Sequence, residues 1–343
     1  MYGESSTLYH AGDPPGGGRG GRGRRRWWRV VLLVLLVLVL ACAVALAGTW
    51  VWADGRVRQT GALADYPGRP PPGRGTNWLI IGTDTRADLT REQRAELHVG
   101  GGGERNTDTV MVLHYGAAGP YLVSIPRDSY VPVPGHGRDK INSAYARGGP
   151  RLLTRTVEQA TGLRLDHYAE IDFLGFTRVV DALDGVRVCL KEPLRDEKAG
   201  ADLPAGCRTL DGRQALAYVR ARYSDPEGDL GRVKRQRRLL SALVREGTGP
   251  ATVGNPFRFY PFLGSALGAV TVDEGSSVLS LTRMGWRIRR LTEGDGGTTT
   301  VPVANPGLNV PGTGSVVVWE PSGSRSLFHQ LRQDVPITAT AVK

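Results

Sequence analysis

The sequence predicts an α/β protein: a three-layer α/β/α domain with a central mixed sheet, preceded by one N-terminal transmembrane helix. Three observations support this. Short apolar runs (WLIIG, TVMVLHY, YLVSI, VRVCL) alternate with stretches of helical periodicity, the pattern of strands covered by helices. Val30 to Trp52 passes 23 residues without a charge. Residues 76–335 are numerous enough to enclose a substantial core.

Residues 1–29 contain six arginines (Arg19, Arg22, Arg24, Arg25, Arg26, Arg29), no lysine and only Glu4 and Asp13 as acids. With Gly and Pro filling much of the rest, they read as a disordered basic tail. At about 1.5 Å per residue, Val30–Trp52 covers roughly 34 Å, enough for a bilayer core of about 30 Å. Arginines flanking Trp27 and Trp28 place the amino terminus in the cytoplasm and the large carboxy-terminal part outside the cell. A cleaved signal peptide is the competing reading; the apolar run exceeds a typical h-region, and Trp50 and Trp52 fit interface anchors. Cys42 sits in a faint lipoprotein-like box, but the apolar run continues ten residues beyond it, which argues against lipidation.

Residues 53–75 are rich in Gly and Pro and read as a semi-rigid spacer. Asn77–Gly82 then reads as a buried strand leading into Thr83-Asp84-Thr85-Arg86, at the carboxyl end where open α/β sheets place their ligand sites. A glycine-rich loop, residues 100–103, leads through Arg105 and Asp108 to a second strand. A third strand ends at Pro126-Arg127-Asp128. Pro150–Ala160 and Asp172–Leu183 carry helical patterns, closed or followed by Gly162 and Gly185. Beyond about residue 247 the signals weaken to a helix near Ser277–Leu291, the strand SVVVW and a last helix near Ser326–Gln333, read as completing the same sheet. Residues 336–343 read as a C-terminal tail.

The formal charge of +11 leaves +7 on the remainder once the tail's +4 is removed. Outside a cell, a basic surface meets anionic lipid headgroups and wall polymers, not nucleic acid. Cys189 and Cys207 lie on the side where oxidation is permitted, and a structural disulfide between them is expected, with free thiols as the alternative.

The stretch AYVRARYSDPEGDLGRVKRQ concentrates guanidinium groups. On an extended strand Arg220 and Arg222 share a face; on a helix opening at Asp229, Arg232 and Gln236 do. Converging planar donors of this kind hold a phosphate or pyrophosphate, although a solvated basic face is the ordinary meaning of a charge run. Asp84 and Asp108, each at a strand edge, suit Mg²⁺, while a capping or salt-bridge role is the commoner one for either acid alone. There is no GxSxG elbow, HExxH, P-loop or zinc spacing, so covalent serine or cysteine catalysis has no support. Phosphoryl transfer by positioning and charge neutralisation remains.

In order, IIGTDTR, NTDTVMV, VSIPRDSYV, KINSAYARGG, LDHYAEIDFLGFTRVVDALDGV and LDGRQALAYVRARYSDPEGDLGRVKRQ resemble the motifs of the LytR-CpsA-Psr family, strongly over residues 77–244. The resemblance implies a single-pass membrane phosphotransferase. It would move an anionic glycopolymer, such as teichoic acid, capsule or arabinogalactan, from a polyprenyl-pyrophosphate carrier to a peptidoglycan hydroxyl, the 6-hydroxyl of N-acetylmuramic acid. It also implies roles: Asp84 and Asp108 as magnesium ligands, either being a base for the hydroxyl proton, and Arg127, Arg220, Arg222, Arg232 and Gln236 as pyrophosphate ligands. Arg105 stands three residues before Asp108, where the family often has two, so its direction stays open. The lipid would need an apolar tunnel, assigned to IDFLGFTRVVDAL and the strands it covers, where ordinary core packing is the local alternative. A pyrophosphatase, or a non-catalytic polyprenyl-lipid binder acting as an envelope regulator, are the other functions this sequence allows.

Overall fold

The structure is a computed structural model, and it describes residues 21–84, 90, 92, 107–221 and 229–338. The chain divides into two compact units, residues 1–52 and 53–343. The first is the helix α1 (Gly21–Asp54), whose stretch Trp27–Asp54 is long and apolar enough to cross a membrane. Because α1 starts at Gly21, the end of the expected disordered tail is helical; the tail's first twenty residues lie outside the described ones.

The second unit begins with β1 (Arg58–Thr60), β2 (Thr76–Thr83), β3 (Thr107–Gly116) and β4 (Gly119–Ile125). The hairpin β5 (Tyr130–Val133) and β6 (Gly137–Lys140) leads into α2 (Ile141–Thr161), then β7 (His167–Asp172) and α3 (Phe173–Asp181). Four short strands follow, β8 (Val186–Leu190), β9 (Leu194–Asp196), β10 (Ala201–Leu203) and β11 (Gly206–Leu210), forming two small antiparallel pairs. Next come α4 (Gly212–Arg220), α5 (Asp229–Gly247), α6 (Pro250–Val253), α7 (Pro256–Ala269) and β12 (Val270–Asp273). The chain closes with α8 (Val278–Thr292), β13 (Gly297–Thr300), β14 (Val303–Val310), β15 (Gly314–Trp319) and α9 (Pro321–Gln333).

Seven strands form the central sheet in the order β1-β12-β7-β2-β3-β4-β13. It is mixed: β7 and β2 run parallel, while β2, β3 and β4 are successively antiparallel. Alternation assigns the faces. Leu79, Ile81, Val110, Val112 and Val123 pack with Leu153 and Val157 of α2 and Leu327 of α9. Trp78, Met111, Leu113 and Leu122 pack on the other face with Leu240 of α5 and Ile288 of α8. The weakly patterned C-terminal third completes the sheet only in part: β12 and β13 join it, whereas β14 and β15 pair with each other.

Residues 53–75 are not a spacer. β1 hydrogen-bonds to β12, Ala62 is buried in the main core, and the Arg69 guanidinium reaches Glu158 of α2 at 3.0 Å. Gly and Pro content suggested a linker, but one strand and one buried ion pair tie this segment down. At the other end, the backbone of Thr338 donates to the Gln330 side chain, so the predicted C-terminal tail begins docked; residues 339–343 lie outside the described ones.

Candidate functional site

The site is built on a bulge. In the β2–β3 pairing Gly82 opposes Thr109 and Thr83 opposes Thr107, so Asp108 is the extra residue, and such bulges re-aim a side chain. Asp84 is the first residue beyond β2 and is buried, 6% exposed. The β3–β4 register pairs Val110 with Ile125; continued two residues outward, it brings Arg127 opposite Asp108, and the Arg127 guanidinium donates to the Asp108 carboxylate. Arg127 also approaches Asp128 at 3.5 Å, and Lys140 reaches Asp128 at 3.1 Å, giving a row of alternating charge along one rim. Lys140 opens KINSAYARGG, where no spacing in the sequence marks a site residue.

Arg220 and its surroundings differ from expectation. Residues 217–220 are helical, not a strand: α4 is capped by Asp211, whose side chain accepts from the Gln214 backbone while Gln214 reaches back, a capping box visible in LDGRQ. Arg220 is therefore the last helical residue and lies over the Phe173 ring, 5.2 Å from its centroid. α5 opens at Asp229 as predicted, and Gln236 is half-buried on it. Arg222, Arg105 and Arg86, with the loop at 100–103, lie outside the described residues, as does the side chain of Arg232. Two other arginines of α5 have structural partners. Arg235 is buried and donates to the backbone oxygens of Tyr218 and Ala221, which the end of α4 leaves unsatisfied. Arg237 donates to the Ser124 hydroxyl and to Thr299 and Thr300 of β13; burial pulls its guanidinium down to about 10, still protonated at neutral pH.

Between the sheet and α3, α4 and α5 lies an apolar cavity of about 160 Å³. Ile80, Met111, Ile171, Phe173, Phe176, Leu216, Leu239 and Leu240 line it. Gly82, Thr109 and Gln236 also border it, so the cavity meets the polar rim at the bulge carrying Asp108. A larger cleft of about 730 Å³ lies at the opposite end of β7, near Asp166 and Asp273. Its charged lining is engaged in the fold: Arg69 holds Glu158, and Asp273 accepts from the backbone of Tyr168 and the hydroxyl of Ser276. Away from both, Cys189 and Cys207 face each other across β8 and β11 and are joined as a disulfide.

The carboxylates suit Mg²⁺. Asp84 and Asp108 sit at the same end of adjacent strands, and no cluster of three or more His, Cys, Asp or Glu able to hold a metal occurs among the described residues. An ion that takes one or two carboxylates and keeps water or phosphate ligands fits that donor set.

The model of the LytR_cpsA_psr family matches residues 71–322. This chain belongs to that family. A relative from Corynebacterium glutamicum, described as a probable cell wall biosynthesis protein LcpB, is 45% identical over 299 residues, covering 86% of this chain and 68% of the relative. Among solved structures, a LytR-Csp2A-Psr enzyme from Actinomyces oris superposes with a TM-score of 0.63 at 22% identity, covering 80% of this chain and 96% of that one. TagT bound to LI-WTA gives 0.56 at 24% identity, covering 82% and 97%. At such identities the structural likeness speaks for the fold alone.

Proposed function

We propose that this protein is a phosphotransferase that moves an anionic glycopolymer from a polyprenyl-pyrophosphate carrier to a hydroxyl of peptidoglycan, the 6-hydroxyl of N-acetylmuramic acid. One observation carries the reading: an acid–arginine pair at a strand bulge borders an apolar cavity, the combination a pyrophosphate with a long lipid tail requires. The relative's printed role in cell wall biosynthesis and the fold shared with a TagT complex support it.

In this reading the isoprenoid occupies the cavity behind Phe173 and Leu240, while Arg127, Arg220 and Gln236 hold the two phosphates; for Arg105, Arg222 and Arg232 the same role rests on the family resemblance alone. The acceptor oxygen forms a bond to the glycan-side phosphorus as that phosphorus loses its bond to polyprenyl phosphate, which departs. Asp84 or Asp108 takes the hydroxyl proton. Asp84 and Asp108 would hold Mg²⁺, which when bound supplies positive charge to the phosphate oxygens. The arginines stabilise the same charge, and losing one such contact costs on the order of 3 kcal/mol in the barrier. The topology that accompanies this reading is an amino terminus in the cytoplasm and a catalytic unit outside, starting near residue 53 and not at 76.

Purified full-length protein, given a lipid-linked polymer and peptidoglycan, is expected to yield a phosphodiester-linked product detectable by mass spectrometry. Glycan phosphate released without any acceptor would indicate a pyrophosphatase instead. Lipid binding with no turnover would indicate an envelope regulator.

A further inference from the structure

The helix α7 has two unlike faces. Gly264, Leu267 and Ala269 are buried toward α3, where a Cβ placed on Gly175 would lie 2.8 Å from that of Ala269, the mark of a close helix crossing. Phe257, on the outer side, is 89% exposed, and Tyr260 is 42% exposed. Outside α1, seven large apolar side chains are exposed among the described residues, and three of them, Val253, Phe257 and Tyr260, fall within eight residues of sequence. Isolated exposed apolar residues are ordinary; a contiguous group marks a contact surface. Arg258 stands beside Phe257, half exposed, with its guanidinium on Asp184.

Chain connectivity selects the occupant of that surface. α7 runs directly into β12, and Thr271 of β12 pairs with Arg58 of β1, four residues after the last residue of α1. Four residues reach about 14 Å at most, and neighbouring strands lie about 5 Å apart. Ala269, the carboxyl end of α7, stands two residues before Thr271 and is thus held within roughly 26 Å of Asp54, the last residue of the apolar helix.

We infer that α6 and α7 lie on the lipid bilayer, with Val253, Phe257 and Tyr260 entering the boundary between headgroups and acyl chains and Arg258 at headgroup level. An exposed aromatic pair next to a cation is the composition of an interfacial helix. The inference rests on the reading of α1 as a membrane span. α7 packs on α3, whose Phe173 and Phe176 line the apolar cavity, so the bilayer-facing element backs the wall of the lipid pocket.

Spin-label depth measurements test this on the full chain, in vesicles of phosphatidylcholine with phosphatidylglycerol. In a Cys42→Ser background that keeps the native disulfide, labels are placed at Phe257→Cys, at Leu308→Cys on the β14–β15 hairpin, and at Val44→Cys in α1. The expected result is a label at 257 protected from a water-soluble relaxant and relaxed by oxygen, with the label at 308 fully open to the water-soluble agent. A label at 257 as open as that at 308, while 44 is protected, overturns the proposal. A label at 44 open to water overturns the membrane anchor as well. None of these readouts requires turnover, so failure of the transferase reading leaves them interpretable. Phe257→Asp with Tyr260→Asp is expected to leave the thermal midpoint unchanged, because neither side chain is in the core, while Tyr260→Asp alone shifts the label at 257 toward water.

Discussion

Arg127 meets Asp108 across the β3–β4 edge because the register of the two strands, carried two residues past its last pair, sets them opposite each other. The pair closes one side of the bulge that borders the apolar cavity. An ion pair at this position holds both groups in place before any phosphate arrives.

Removing either partner therefore affects more than one contact. Arg127→Ala is expected to lower kcat by about a hundred- to a thousand-fold, the loss typical of one charge-stabilising donor. Arg127→Lys should recover little, because a point charge does not reproduce the planar fork. Steady-state kinetics on the lipid-linked donor check this, and a Lys variant with full kcat would show that only charge matters there.

Filling the cavity should separate lipid recognition from chemistry. Leu240→Trp places bulk into a space of about 160 Å³ on the face of α5 that looks toward Met111. KM for a long-chain donor is expected to rise at least tenfold, with a smaller change for a donor carrying a short isoprenoid. Overpacking costs roughly 1–3 kcal/mol, so the melting temperature is measured alongside.

Much of this arrangement was legible in the sequence. The strands WLIIG and TVMVLHY and the position of Asp84 just past a strand end followed from apolar runs and their boundaries. The capping box at Asp211 and Gln214 is equally visible in LDGRQ, whereas the i, i+2 spacing of RAR matches a strand face as well as a helix end, and only the fold decides between them. Arg69 was hidden because a Pro/Gly-rich composition says nothing about a tertiary partner 89 residues away. Arg235 and Gln236 are neighbours in sequence, yet one closes the end of a helix and the other borders the cavity; only packing separates them.

The Arg69–Glu158 contact supplies a stability prediction. Glu158 is fully buried and accepts from Arg69 and from the backbone of Leu165. Glu158→Ala leaves the Arg69 guanidinium with Asp65 and the backbone oxygens of Leu63 and Leu165, strips the buried Leu165 N–H of its acceptor, and is expected to destabilise the fold by about 1–3 kcal/mol. Chemical denaturation in detergent measures it; a loss below 1 kcal/mol would mean that the segment around Arg69 is held by other contacts.

Acid should weaken the clasp between the β3–β4 turn and the end of α9. Burial holds His114 below the usual imidazole range, despite Asp334 at 3.3 Å and Asp166 acting the other way. For Asp334 burial works to raise the carboxyl, but donation from the backbones of Ala117 and Ala118 and from His114 takes it below its ordinary value. Two effects compete over His114: its ring nitrogens face two oxygens, Asn77 Oδ1 at 2.8 Å and Asp334 at 3.3 Å, which favours the charged ring, yet the complete burial of the side chain prevails and disfavours it. As pH falls below about 6.5 the unfolded state takes up the histidine proton first and stability declines, and below about 4 loss of the Asp334 carboxylate removes more. The melting temperature should fall between pH 7 and 5, and His114→Gln should flatten that slope. An unchanged slope would place the acid sensitivity elsewhere.

The most direct test is the lipid itself. Native mass spectrometry of the full-length chain with a polyprenyl pyrophosphate is expected to show a one-to-one adduct, weakened at least tenfold by Arg220→Ala and by Leu240→Trp independently, with polyprenol lacking phosphate bound far less well. Equal retention of the pyrophosphate by wild type and both variants would contradict a shared site for headgroup and tail.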